Sequence, residues 1–166
     1  IIQTVKNIAP TFGGINLEDI CSPKCFEIEK RLEEELDIPV FHDDQHGTAI
    51  VVLAGIINAL KVTGKQKDSC KVIVNGAGSA GIAITKLLLT YGFSHITMCD
   101  INGILSKNSP NLNYMQKYMT EVTNLEEKEG TLADALCGAD IFIGVSAPNI
   151  VTEDMVASMN KDAILF

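Results

Sequence analysis

The chain has 166 residues, 46% of them hydrophobic and 20% charged, which is enough apolar content for a buried core and too much for a disordered tail. Its net charge of −8 and its single arginine, Arg31, exclude a broad basic surface for nucleic acid. The longest uncharged apolar stretch, Gly47 to Leu60, is shorter than the roughly 18 apolar residues of a membrane span, so no membrane partner is expected.

Ile8 to Ile20 reads as a strand and loop, broken by Pro10 and by Gly13-Gly14. Ser22-Pro23 predicts a helix start, with Ser22 as N-cap and Pro23 at the first helical position. Phe26, Ile28, Leu32 and Leu36 are the apolar positions of that helix. Pro39 to Phe41 is a short strand, ended by the polar cluster His42-Asp43-Asp44-Gln45-His46. Gly47 to Lys61 is a long helix, apolar almost all round, and such a helix is expected to lie buried between layers. Gly64 is placed to end it.

Strands and helices then alternate. The predicted strands are Lys71–Asn75, His95–Cys99, Asp140–Gly144 and Ala163–Phe166; the predicted helices are Gly81–Tyr91, Tyr114–Thr123, Thr131–Cys137 and Thr152–Met159. A polar section from Asn102 to Asn113 has no assigned element or role. The alternation predicts an α/β fold: a Rossmann-like doubly wound parallel sheet with helices on both faces, preceded by a short α/β segment. Residues 1–43 and 44–166 differ in texture and are read as two portions. The five cysteines are expected to be buried thiols in a reducing, cytoplasmic compartment. The chain opens without Met and stops inside a predicted strand, so a segment of a longer protein is expected.

Gly76-Ala77-Gly78-Ser79-Ala80-Gly81 is a G-x-G-x-x-G turn between a buried strand and an apolar helix, the context that a dinucleotide site requires. Gly76 allows the tight turn, Gly78 lets the backbone approach a pyrophosphate, and Gly81 lets the helix pack on the strand. Asp100, 19 residues after Gly81, ends the next strand, where a carboxylate accepts from ribose hydroxyls. It disfavours a 2′-phosphate, so NAD is expected, with NADP as the alternative. Asp100 as a mere turn residue before Asn102-Gly103, and a glycine turn without ligand, are the bland readings. Ser146 and Asn149 follow a later strand and are candidates to touch the nicotinamide or its ribose, against a plain Pro148-Asn149 turn.

Two acidic pairs, Glu18-Asp19 and Asp43-Asp44, stand at strand-to-loop transitions. Converging, they suit Mg²⁺ or Mn²⁺, which favour hard oxygen ligands. Glu18 and Asp19 reach one ion together only if the backbone turns there, because adjacent strand residues point to opposite faces. The alternatives are solvated charges near helix starts and a zinc site on His42 and His46, which lacks the Glu of H-E-x-x-H.

Pro10-Thr11-Phe12-Gly13-Gly14-Ile15-Asn16-Leu17-Glu18-Asp19-Ile20 resembles the metal-binding stretch of the malic enzymes. Pro39-Val40-Phe41-His42-Asp43-Asp44-Gln45-His46-Gly47-Thr48-Ala49 resembles their second signature in its bacterial form, and Gly76–Gly81 and Gly144–Thr152 follow in the family's order. The resemblance spans essentially the whole chain. It implies that residues 1–43 are the end of the catalytic domain and that residues 44–166 are the NAD(P)-binding domain. It implies malate oxidised and decarboxylated to pyruvate and CO₂, in a homodimer, with a nicotinamide cofactor and a divalent metal.

By position, Glu18, Asp19 and Asp44 would hold Mg²⁺ or Mn²⁺, and Asp43 would stand beside the reacting groups. Ala77, Gly78, Ser79 and Ala80 would hold the cofactor phosphates. The Lys base and Tyr acid of the family belong upstream of residue 1, and a substrate-binding Asn just beyond Phe166. Lys6 reads as a solvated helix residue. The alternatives are the NAD-binding domain of another Rossmann dehydrogenase, such as an amino-acid dehydrogenase, and a non-catalytic nucleotide-binding module. The first leaves both acidic pairs without a role; the second is consistent with a chain that lacks the base.

Overall fold

The computed structural model describes residues 1–166. In chain order it comprises α1 (Ile2–Ile8), β1 (Ile15–Leu17), α2 (Lys24–Glu35), β2 (Val40–His42), α3 (Asp43–Thr63), β3 (Lys71–Asn75), α4 (Ser79–Tyr91), β4 (His95–Asp100), β5 (Gly103–Ile104), α5 (Tyr114–Val122), α6 (Leu132–Leu136), β6 (Ile141–Gly144), α7 (Glu153–Ala157) and β7 (Ile164–Leu165). β1 and β2 form a two-stranded parallel sheet; the main sheet has the order β5-β4-β3-β6-β7. Its pairings are parallel except at the β5 edge, which runs antiparallel to β4.

Side-chain alternation sends each strand to two faces. Val72, Val74, Ile141 and Ile143 face a core shared with Ile56 of α3, Ile82 and Leu88 of α4 and Met119 of α5. Ile73 and Phe142 face the opposite core, with Leu132 and Leu136 of α6 and Met159. Helices therefore cover both faces, as a sheet of continuously apolar parallel strands requires. The α/β doubly wound architecture agrees with the sequence expectation.

Polar caps mark the starts of the last three helices. Asn113 and Gln116 form a reciprocal capping box at α5, Thr131 and Asp134 another at α6, and Thr152 accepts from the Met155 amide at α7. Asp140 ties β6 to the foot of β3. One oxygen accepts from the Lys71 amide at 3.0 Å; the other accepts from Lys65 Nζ at 2.8 Å and Asn160 Nδ2 at 3.1 Å.

Several expectations are corrected. Ile2–Ile8 is helical, and the strand within 8–20 shrinks to Ile15–Leu17. Lys6 is not merely solvated but pairs with Glu35 at 2.6 Å, joining α1 to α2. Pro23 is the N-cap of α2, and no side-chain cap is made there. α3 starts at Asp43 rather than Gly47, because Asp43 and Asp44 in its first turn complement the positive end of the helix dipole. At 21 residues, with an 18-residue stretch of mean hydropathy 1.5, α3 is long and apolar enough to cross a membrane by length and composition.

Nor is α3 enclosed. Only Gln45, Ala49 and Ile56 are buried, while Val51 and Val62 are 65% and 88% exposed. A helix has two sides, and α4 and the sheet cover one. Of the cysteines, Cys25, Cys70 and Cys99 are buried but Cys21 and Cys137 are exposed; all five are free thiols.

Candidate dinucleotide and metal sites

The dinucleotide site is built where β3 meets α4. Gly76 has φ +127°, and a Cβ there would stand 2.6 Å from the Val145 carbonyl oxygen. A Cβ on Gly81 would collide with the Gly76 carbonyl oxygen. These two glycines therefore let strand, helix and the loop after β6 close on one another. Gly78 differs: nothing lies within 4 Å of a Cβ built on it. That open space stands over the N-cap of α4, which receives no side-chain cap. Free N–H groups facing open space at a helix N-terminus suit a phosphate.

Beside the turn, a cavity of about 440 Å³ is lined by Asn75, Asp100, Asn102, Thr131, Ser146 and Ile150 among others. Asp100 sits at the end of β4, as expected, and accepts from the Asn102 amide at 2.7 Å through Oδ1. Both the turn role and the cavity-lining role thus describe the same carboxylate. Ser146 lies across the cavity and accepts from Asn75 Nδ2 at 2.9 Å. Asn149 is not among the cavity-lining residues; it is exposed with φ +59°, a turn conformation.

Two residues not singled out in the sequence shape this site. They are Asn75 and Gln116, whose Nε2 donates to the Ala77 carbonyl at 3.2 Å. The N-x-x-Q capping pattern at Asn113 was a readable signal for Gln116. Burial, with a smaller contribution from Asp100, pushes the Cys99 thiol up to about 12, so it is no nucleophile.

The acidic pairs are brought together by β-pairing. β1 and β2 run parallel with Ile15 opposite Val40 and Leu17 opposite His42. The two chains therefore leave the sheet at the same end, with Glu18-Asp19 following one strand and Asp43-Asp44 following the other. Asp19 turns back with φ +55°, and its amide donates to Asp44 Oδ2 at 2.9 Å. This is the backbone turn on which joint binding by Glu18 and Asp19 depends.

Glu18 instead accepts from Asn16 Nδ2 at 3.0 Å, and the Asp43 side chain lies against Gly47 of its own helix. The side chains do not assemble three metal-ligating groups at one point. What fits a divalent cation is the donor set, all hard carboxylate oxygens. Behind these carboxylates the fully buried His42 has an Nε2 without a hydrogen-bond partner, 3.5 Å from Asp44 Oδ2.

Residues 45–164 match the family described as "Malic enzyme, NAD binding domain", and residues 1–33 match "Malic enzyme, N-terminal domain". Over its full length the chain is 54% identical to the bifunctional malic/malolactic enzyme of Bacillus subtilis and 55% identical to the NAD-dependent malic enzyme of Geobacillus stearothermophilus. It spans 41% and 35% of those two proteins. Proteins named NADP-dependent malic enzymes match as well. The crystal structure of the NAD-dependent malic enzyme of Thermotoga maritima superposes with a TM-score of 0.95 at 49% identity, covering 99% of this chain and 44% of that one.

A two-faced α/β sheet with an open glycine turn defines a dinucleotide-binding class of protein. Within that class, the chain belongs to the malic enzyme family.

Proposed function

We propose that the full-length protein oxidises and decarboxylates malate to pyruvate and CO₂ with reduction of NAD(P), and that this chain supplies the cofactor cradle and the metal carboxylates. The observation that carries this reading is the β1–β2 register, which delivers both acidic pairs to one end of one small sheet. A Rossmann dehydrogenase without a metal leaves that arrangement idle. Residues 1–43 are read as the end of the catalytic domain and 44–166 as the cofactor domain.

Glu18, Asp19 and Asp44 are the residues that would hold Mg²⁺ or Mn²⁺. When bound, such an ion supplies Lewis-acid polarisation of the substrate's C2 oxygen and of the developing enolate. Gly76, Gly78 and Gly81 leave the α4 amides open to the cofactor pyrophosphate, and Ala77, Ser79 and Ala80 carry the backbone between them. Asp100 accepts from ribose hydroxyls through the oxygen its turn does not use, which favours NAD over NADP. Ser146, held by Asn75, is assigned to the nicotinamide or its ribose; Asn149 stands on the same loop but outside the cavity lining. Asp43 takes the auxiliary place beside the reacting groups. The proposal includes a reducing, cytoplasmic setting, with which the chain's five free thiols are compatible.

The test is malate-dependent NAD(P)H formation by the full-length protein. Activity should vanish in EDTA and return with Mn²⁺, and it should be greater with NAD than with NADP. Undiminished turnover in EDTA would overturn the metal reading.

A further inference from the structure

We infer that His42 is a positioning residue for the Asp44 carboxylate, its ring held in the Nε2–H tautomer by a buried Gln45–Glu29 pair. This rests on the metal reading above and deepens it.

The inference follows from donor and acceptor identities. Glu29 is 7% exposed, Gln45 4% and His42 0%. A carboxylate only accepts hydrogen bonds, so the Gln45 group 2.9 Å from Glu29 Oε2 is its NH₂. The same nitrogen lies 2.7 Å from His42 Nδ1. An NH₂ has two hydrogens, and the second is donated to Nδ1. Nδ1 is therefore the acceptor nitrogen, and the neutral ring carries its proton on Nε2.

That Nε2–H is enclosed and makes no hydrogen bond, and a carboxylate oxygen, Asp44 Oδ2, lies 3.5 Å from it. His46 fixes the far end of the chain, its Nε2 2.7 Å from Glu29 Oε1. The result is a relay of side chains, His46–Glu29–Gln45–His42, ending on a proposed metal ligand. A donor behind a ligating carboxylate selects which oxygen faces the ion and restrains its rotation. The local sequence accounts for the assembly. His42 ends β2 and is buried, while Gln45 and His46 lie on the first turn of α3 and bond Glu29 of α2.

The experiment is Mn²⁺ binding to the full-length protein, followed by the electron paramagnetic resonance of free Mn²⁺. NADH binding serves as the control for folding. Asp44→Asn should lose Mn²⁺. His42→Leu removes the donor at similar volume and should weaken Mn²⁺ binding by roughly 10- to 100-fold, with NADH binding unchanged. His42→Gln, which places an N–H near the former Nε2, should recover most of that loss. In the wild-type protein, ¹⁵N NMR of His42 should show a protonated Nε2 and a bare Nδ1.

Wild-type Mn²⁺ affinity in His42→Leu overturns the inference, as does failure of His42→Gln to recover binding. If Asp44→Asn still binds Mn²⁺, the metal reading itself is overturned. If His42→Leu does not fold, the tautomer decides: a proton on Nδ1 overturns the inference.

Discussion

At the scale of single residues, the least replaceable groups are those with several partners. Asp140 accepts three hydrogen bonds while buried. Burial pushes its carboxyl up, but the bonds from Lys65, the Lys71 amide and Asn160 outweigh that and leave it below the ordinary carboxylate value. A carboxylate with a lowered folded-state pKa adds stability above its unfolded value, near 4. That stability is lost as pH falls through the folded value. Asp140→Asn should therefore lower stability at pH 7 by about 2 kcal/mol and flatten its decline below about pH 4. Urea midpoints measured across that range check both parts; an unchanged acid limb would assign the effect elsewhere. His42 shows the same lesson at the candidate site. Its identity as half of a possible zinc pair was visible in sequence. Its ring orientation beside Asp44 depends on Glu29 of α2, 16 residues before Gln45 in the chain.

Among the elements, hydrophobic pattern and turn chemistry predicted most of the sheet and helices, because strands of one buried sheet are apolar and helices that cover it carry apolar positions at helical spacing. The misjudged burial of α3 has a physical cause. α3 is apolar all round, and a local pattern cannot say which side finds a partner. Ile56 is fully buried among the residues of the larger core, whereas Val62, six residues on, is 88% exposed. Ile56→Ala should cost about 2–5 kcal/mol and Val62→Ala less than about 0.5 kcal/mol. Denaturant midpoints of the two variants measure the difference. Equal costs would mean that Val62 is also packed in the full-length protein. β5 escaped the sequence because two residues carry no period. It exists because Gly103 and Ile104 pair with Asp100 and Cys99.

At the scale of the whole molecule, the two candidate sites hang on different sheets. The carboxylates follow β1 and β2; the glycine turn follows β3. They should fail separately. Gly81→Ala drives a Cβ into the Gly76 carbonyl, backbone against backbone, and should weaken NADH binding by an order of magnitude or more while sparing Mn²⁺. NADH fluorescence and Mn²⁺ titration on the same sample test this. Joint loss of both would show that the sheets support one another more closely than their separate hydrogen-bonded frames imply.

Legible in the order of residues alone were the α/β alternation, the glycine turn with its acidic partner Asp100, and the two acidic pairs. Those are local patterns, set by side-chain period, backbone sterics and charge. The folded chain adds that the Asp19 amide bonds Asp44, that Glu18 accepts from Asn16 while Asp43 lies against Gly47, that Asn75 and Gln116 bond residues of the cofactor side, and that His42 is enclosed near a carboxylate. The contacts of Asp19, Asn75 and Gln116 join residues distant in the chain. Strand register and helix packing set such contacts, and no run of neighbouring residues encodes them.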